Sequence, residues 1–153
     1  NISGADMAER LGKAPLAQQP GTTWEYSLSV DVQGRVIEAV SGQRLNDFMQ
    51  QRLFKPLKMK DTGFEVPAIQ MGRVAEPFAT GPMTGVANKL IDISQTPGND
   101  SGGAGGVSTA PDYMRFCQAM LNGGQLDGVR ILSRSTVQLI WHAIGIHSIK
   151  KNI

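Results

Sequence analysis

Apolar positions recur along this chain at helical spacing in five runs, parted by short stretches rich in proline and glycine. The clearest run follows the turn Pro20-Gly21-Thr22-Thr23, which ends whatever precedes it. Leu28, Val32, Val36, Ile37 and Val40 then fall on one face of an α-helix, and Gly42 stands where a helix stops with positive φ. Gly34 lies inside that helix, where glycine costs about 1 kcal/mol against alanine, so close packing against its backbone is expected. Tyr26 is expected at the mouth of this helix, which the pattern reads as buried. On local chemistry alone, a tyrosine there packs more often than it reacts.

The remaining elements follow from the same rules. Ser3 caps a short helix over about 5–13, with Met7 and Leu11 on one face; Pro15 and Pro20 break it. Leu45, Phe48, Met49, Leu53 and Phe54 predict a helix ending near Lys55-Pro56, followed by a turn at 58–63 and a short extended piece at 64–66. From 67 to 101, Pro67, Pro77, Pro82 and Pro97 argue for long loops, with brief strands at most near 73–78 and 90–93. Thr109 is an expected N-cap, with Pro111 in the first turn and Asp112 favouring the helix dipole. Tyr113, Phe116, Cys117, Met120 and Leu121 form the expected buried face, which ends at Asn122-Gly123-Gly124. Asp127-Gly128 between apolar residues predicts a tiny hairpin, and Ser133 caps a last helix from 134 to about 142.

Bulk properties narrow the class. A chain of 153 residues with 41% hydrophobic and 18% charged positions is globular. A net charge of +2, with Lys150-Lys151 as the one basic run, makes nucleic acid and anionic membrane poor partners. No apolar run reaches the length of a membrane span. Cys117 has no second cysteine to pair with and reads as core filling, so the compartment stays open between cytoplasm and periplasm or exterior. The absence of an initial methionine suggests a piece of something longer.

Candidate chemistry is sparse. His142 and His147 have no cysteine partner nearby, so no metal is expected, and no cofactor motif occurs. Gly102, Gly103, Gly105 and Gly106 lack the Gly-Lys-Ser/Thr that would complete a phosphate loop, and there is no Gly-x-Ser-x-Gly elbow. Asp31, Glu38 and Asp47 read as solvated or capping charges.

Four segments in order do carry a resemblance. They are 20–42 (Pro-Gly-Thr-Thr-Trp-Glu-Tyr-Ser through Val-Ser-Gly), 54–64 (Phe-Lys-Pro-Leu-Lys-Met-Lys-Asp-Thr-Gly-Phe), 101–110 (Ser-Gly-Gly-Ala-Gly-Gly-Val-Ser-Thr-Ala) and 121–133. Together they resemble the serine β-lactamase-related hydrolases, a family of class C β-lactamases, D,D-peptidases and family VIII carboxylesterases. The resemblance implies an α/β fold of the β-lactamase/transpeptidase-like superfamily, of which this chain supplies mostly the helical half, with long loops and a few short strands. It covers 1–141 as a partial domain and leaves 142–153 as an unmatched tail.

By this resemblance, Tyr26 matches the tyrosine of the family's Tyr-x-Asn motif, and Leu28 stands in place of its asparagine, as in the carboxylesterase branch. Gly102 and Gly103 belong to a run that packs beside the family's active site. The serine and lysine of Ser-x-x-Lys are not matched: Ser148-Ile-Lys-Lys151 has the letters but lies after Tyr26, where the family places them before it. The implied substrate is a small ester or amide, with esters favoured. A β-lactamase or D,D-peptidase segment, or a non-catalytic remnant acting as a binding module, are the alternatives; oligomeric state is open.

Overall fold

The computed structural model describes residues 2–88 and 93–150, with side chains described as far as residue 142. It forms two compact units, one of 1–48 with 63–107 and the other of 49–62 with 108–153.

In the first unit, α1 (Gly4–Gly12) begins at Ser3, whose hydroxyl oxygen accepts from the Asp6 N–H at 3.1 Å. Hydrogen bonds from Ser3 hold the Asp6 carboxyl below its ordinary range. Helix α2 (Ser29–Ser41) ends at Gly42, which takes φ 69° and donates its N–H to the Glu38 carbonyl at 2.9 Å. The left-handed turn at Gly42 is the stop that the sequence anticipates. Helix α3 (Leu45–Met49) starts under a carboxylate clasp: Asp100, 4% exposed, accepts from Arg44 Nη2 at 2.6 Å and from the Asn46 N–H at 3.0 Å.

The buried side of α2 differs from the one its apolar stripe predicts. Leu28, Val36 and Val40 are 56%, 54% and 85% exposed, and Val32 is exposed as well, whereas Gly34 is the buried residue of the helix. Val30, Gly34, Ile37 and Glu38 turn inward instead. Gly34 decides this, since a backbone without a side chain admits a neighbouring loop. Glu38, expected as a solvated or capping charge, accepts from the Leu45 N–H at the start of α3 at 3.1 Å and pairs with Arg35 at 3.6 Å. Asp47 is exposed, as expected.

Between 64 and 107 the backbone is mostly irregular. A 3₁₀ helix occupies Ala68–Arg73, and no strand forms at 73–78. Arg73 closes that helix, and 75–78 finds no ladder partner among the described residues. Of the strand expected near 90–93, residues 90–92 lie outside the described residues; the Ile93 carbonyl accepts from the Val66 N–H at 2.9 Å. Single antiparallel bridges join Gly63 to Val107 and Thr80 to Ala87.

The second unit holds the larger hydrophobic core: Phe54, Leu57, Met59, Ala119, Met120 and Val137 are all buried. A π-helical stretch at Gln50–Phe54 continues from α3, with the Lys55 N–H reaching the Gln50 carbonyl at 3.0 Å. Helix α4 (Ala110–Leu121) is capped by Thr109, as its sequence predicts. Asp112 goes beyond its predicted dipole role, for its buried carboxylate accepts from the Asp61 N–H at 2.7 Å and the Thr62 hydroxyl at 2.8 Å. Tyr113 and Leu121, expected inside, are 58% and 73% exposed, and Cys117 is half-buried. The helix turns a narrower face inward, centred on Asp112, Ala119 and Met120.

Strands β1 (Gln125–Leu126) and β2 (Val129–Arg130) make the predicted hairpin, with Asp127 at φ 49° and Gly128 at φ 79° in its turn. A hydrogen bond from Arg115 is the main cause that holds the Asp127 carboxyl below its usual range. That contact is in place above the ordinary carboxylate range and is lost as pH falls through the lowered pKa of Asp127. Helix α5 (Arg134–Lys150), capped by Ser133, extends beyond the expected end near 142. Among the described residues, no helix is long and apolar enough to cross a membrane.

Candidate active site

The four residues singled out by sequence all lie in the first unit. Tyr26 precedes α2 by three residues, and its side chain is 73% exposed. A hydrogen bond of 3.0 Å from Gln18 to Glu25 braces the preceding backbone. Leu28 is the N-cap residue of α2; it provides no side-chain cap, but its carbonyl accepts from the Val32 N–H at 3.1 Å. Leu28 thus stands at the N-cap of this helix, and Tyr26 lies in the irregular segment that leads into it.

Gly102 and Gly103 come to the start of α2. A β-carbon on Gly102 would lie 2.6 Å from the Val30 carbonyl oxygen and 3.3 Å from both N and Cα of Gly34. One on Gly103 would lie 2.6 Å from Asp31 Oδ2. Neither glycine has positive φ, so close approach is what requires them. Two glycines facing each other, Gly34 and Gly102, let the loop backbone touch the helix backbone.

Polar contacts lock the approach. The Ser101 hydroxyl donates to Asp31 Oδ1 at 2.5 Å, and the Gly103 N–H reaches the same oxygen at 3.4 Å. The Ala104 N–H donates to Ser101 Oγ at 3.0 Å. Asp100, next in the chain, holds the start of α3. Asp31 is therefore a loop anchor rather than the solvated or capping charge expected of it. Its signal in the sequence was a small, polar stripe, Asp31, Gly34, Arg35 and Glu38, on the side of α2 opposite the apolar one.

Of the tail motif, Lys151 and the side chains of Ser148 and Lys150 lie outside the described residues, as does the side chain of His147 before it. Among the described residues, no cluster of three or more His, Cys, Asp or Glu is placed to hold a metal ion.

Replacing Gly102 by alanine tests the close approach. Its methyl group meets backbone at 2.6 Å, so loop or helix must move. Overpacking of this kind costs about 1–3 kcal/mol. Denaturant unfolding of Gly102→Ala in the full-length protein checks this; an unchanged midpoint would show that the loop yields freely.

The mostly helical elements, with a glycine loop seated on the start of α2, fit the β-lactamase/transpeptidase-like fold that the sequence resembles. Comparison with known proteins agrees: the family model described as Beta-lactamase matches residues 2–147. The chain belongs to the beta-lactamase family. It is 33% identical over 132 residues to Protein Rv1367c of Mycobacterium tuberculosis, covering 85% of this chain and 33% of that protein. To esterase EstB of Burkholderia gladioli it is 32% identical over 129 residues, covering 72% of this chain and 32% of EstB. Among solved structures, EstCE1, a hydrolase with promiscuous acyltransferase activity, superposes with a TM-score of 0.69 at 25% identity, covering 90% of this chain and 39% of that one. The chain thus spans about a third of the length of each of these two curated relatives.

Proposed function

We propose that this segment belongs to a serine hydrolase that cleaves carboxylic esters through an acyl-enzyme, with Tyr26 as general base. The observation that carries this reading is the place of Tyr26, three residues before a helix start held by the 101–104 loop, with Leu28 two residues on. The esterase activity in the name of EstB supports it, as does Leu28 in place of asparagine.

In this reading the nucleophilic serine and its lysine come from outside these residues. A free tyrosine titrates near ~10, so the lysine ammonium must favour the phenolate. Tyr26 then takes the serine proton as serine oxygen attacks the ester carbon, and returns it to the alcohol as the carbon–oxygen bond breaks. Water repeats the cycle on the acyl-enzyme, releasing the acid and restoring serine.

By themselves, the 153 residues are expected to be inactive. Incubation with p-nitrophenyl butyrate and with a fluorophosphonate probe checks this against the full-length protein, which should turn over the ester and take up one equivalent of label. Turnover or stoichiometric labelling of the 153-residue chain would place the nucleophile within it and overturn the assignment.

A further inference from the structure

Asp31 has no part in the chemistry just described, yet it makes the tightest polar contact of the site. Its carboxylate oxygen receives the Ser101 hydroxyl at 2.5 Å and the Gly103 N–H at 3.4 Å. Asp31 sits in the first turn of α2, one residue from Val30, whose carbonyl oxygen limits the approach of Gly102. From the next residue, the Val32 N–H bonds the Leu28 carbonyl, two residues from Tyr26. On the loop side, the Ser101 carbonyl accepts from the Gly105 N–H at 3.1 Å, and Asp100 is buried against Arg44 and Asn46. The loop is therefore held at the start of α3 as well, and the Asp31–Ser101 bond ties it to the start of α2.

We infer that Asp31, through its hydrogen bond from Ser101, is a positioning residue that aims Tyr26 by clamping the first turn of α2 to the 101–104 loop. The inference rests on Tyr26 being the general base. It also assigns Ser101: a hydroxyl that donates to Asp31 and accepts from Ala104 is a structural latch and not an acyl-accepting nucleophile.

Without the clamp, the helix start and Tyr26 drift together. A misplacement of about 1 Å at a reacting group can cost on the order of 100-fold in rate. The test is a cycle in the full-length protein, with kcat, KM and Tm measured on p-nitrophenyl butyrate. Asp31→Ala and Ser101→Ala are each expected to lower kcat by about 10- to 100-fold with KM changed less than about twofold. In the Tyr26→Phe background the same substitutions should lower residual kcat by less than about twofold, because a residue that acts through Tyr26 has nothing left to aim. Asp31→Asn keeps an oxygen that accepts the Ser101 proton and is expected to recover most of the loss. Should Asp31→Ala fail to fold, Ser101→Ala, which removes a single hydroxyl, carries the cycle.

Equal losses in both backgrounds would overturn the inference and make Asp31 a stability residue only. So would a loss confined to KM. If Tyr26→Phe alone retains most of its kcat, the base assignment falls instead, and the inference falls with it.

Discussion

Tyr26→Phe in the full-length protein is expected to lower kcat by about 10²- to 10⁴-fold, the usual contribution of a positioned general acid–base group. Folding should barely register the change. Within these 153 residues Tyr26 is 73% exposed. A lost hydrogen bond would cost about 1 kcal/mol even if one existed in the whole fold. The measurement is kcat on a p-nitrophenyl ester beside a thermal melt of the same sample. A large fall in kcat at constant Tm supports the assignment. Retention of most of the rate returns Tyr26 to being a surface aromatic on a helix start, and the alternative of a non-catalytic binding module gains.

Leu28→Asn carries the second large effect, on substrate choice. In the lactamases that the sequence resembles, asparagine at this place faces the amide side chain of the substrate. Leucine offers that amide no partner, and an unsatisfied buried amide costs roughly 1–3 kcal/mol, or about 5- to 150-fold in rate. A short acyl ester places no amide there and loses nothing. Leu28→Asn should therefore shift the ratio of kcat/KM for nitrocefin over p-nitrophenyl butyrate upward by several-fold or more. The fold tolerates the change: Leu28 is 56% exposed at the N-cap of α2 and makes no side-chain cap, a position where asparagine is a favoured residue. An unchanged ratio would place the preference in pocket shape elsewhere.

Both predictions stand on a helix whose limits are legible in the residues themselves. Gly42 ends α2, Thr109 and Ser133 begin α4 and α5, and Asp127-Gly128 turns the hairpin, because each is a local matter of φ or of one capping hydrogen bond. Gly34 likewise announces a close approach, since nothing else repays a glycine within a helix. The continuation of α5 beyond residue 142 and the 3₁₀ helix at Ala68–Arg73 escaped the pattern, for neither has a distinctive cap in the sequence.

What the sequence by itself determined is the main helices and the hairpin, the family to which they belong and the tyrosine to examine. Tertiary structure alone decided which side of α2 turns inward and what meets it there. The apolar stripe of Leu28, Val32, Val36 and Val40 is the stronger local signal, yet hydrophobic periodicity reports only that a helix has two faces, not which partner each receives. Within these residues the packed side is the polar stripe together with Ile37, because Gly34 and Gly102, 68 positions apart, let two backbones touch, and because Asp31 meets Ser101 across 70 residues. Such pairings depend on how the chain returns upon itself, which no local spacing encodes.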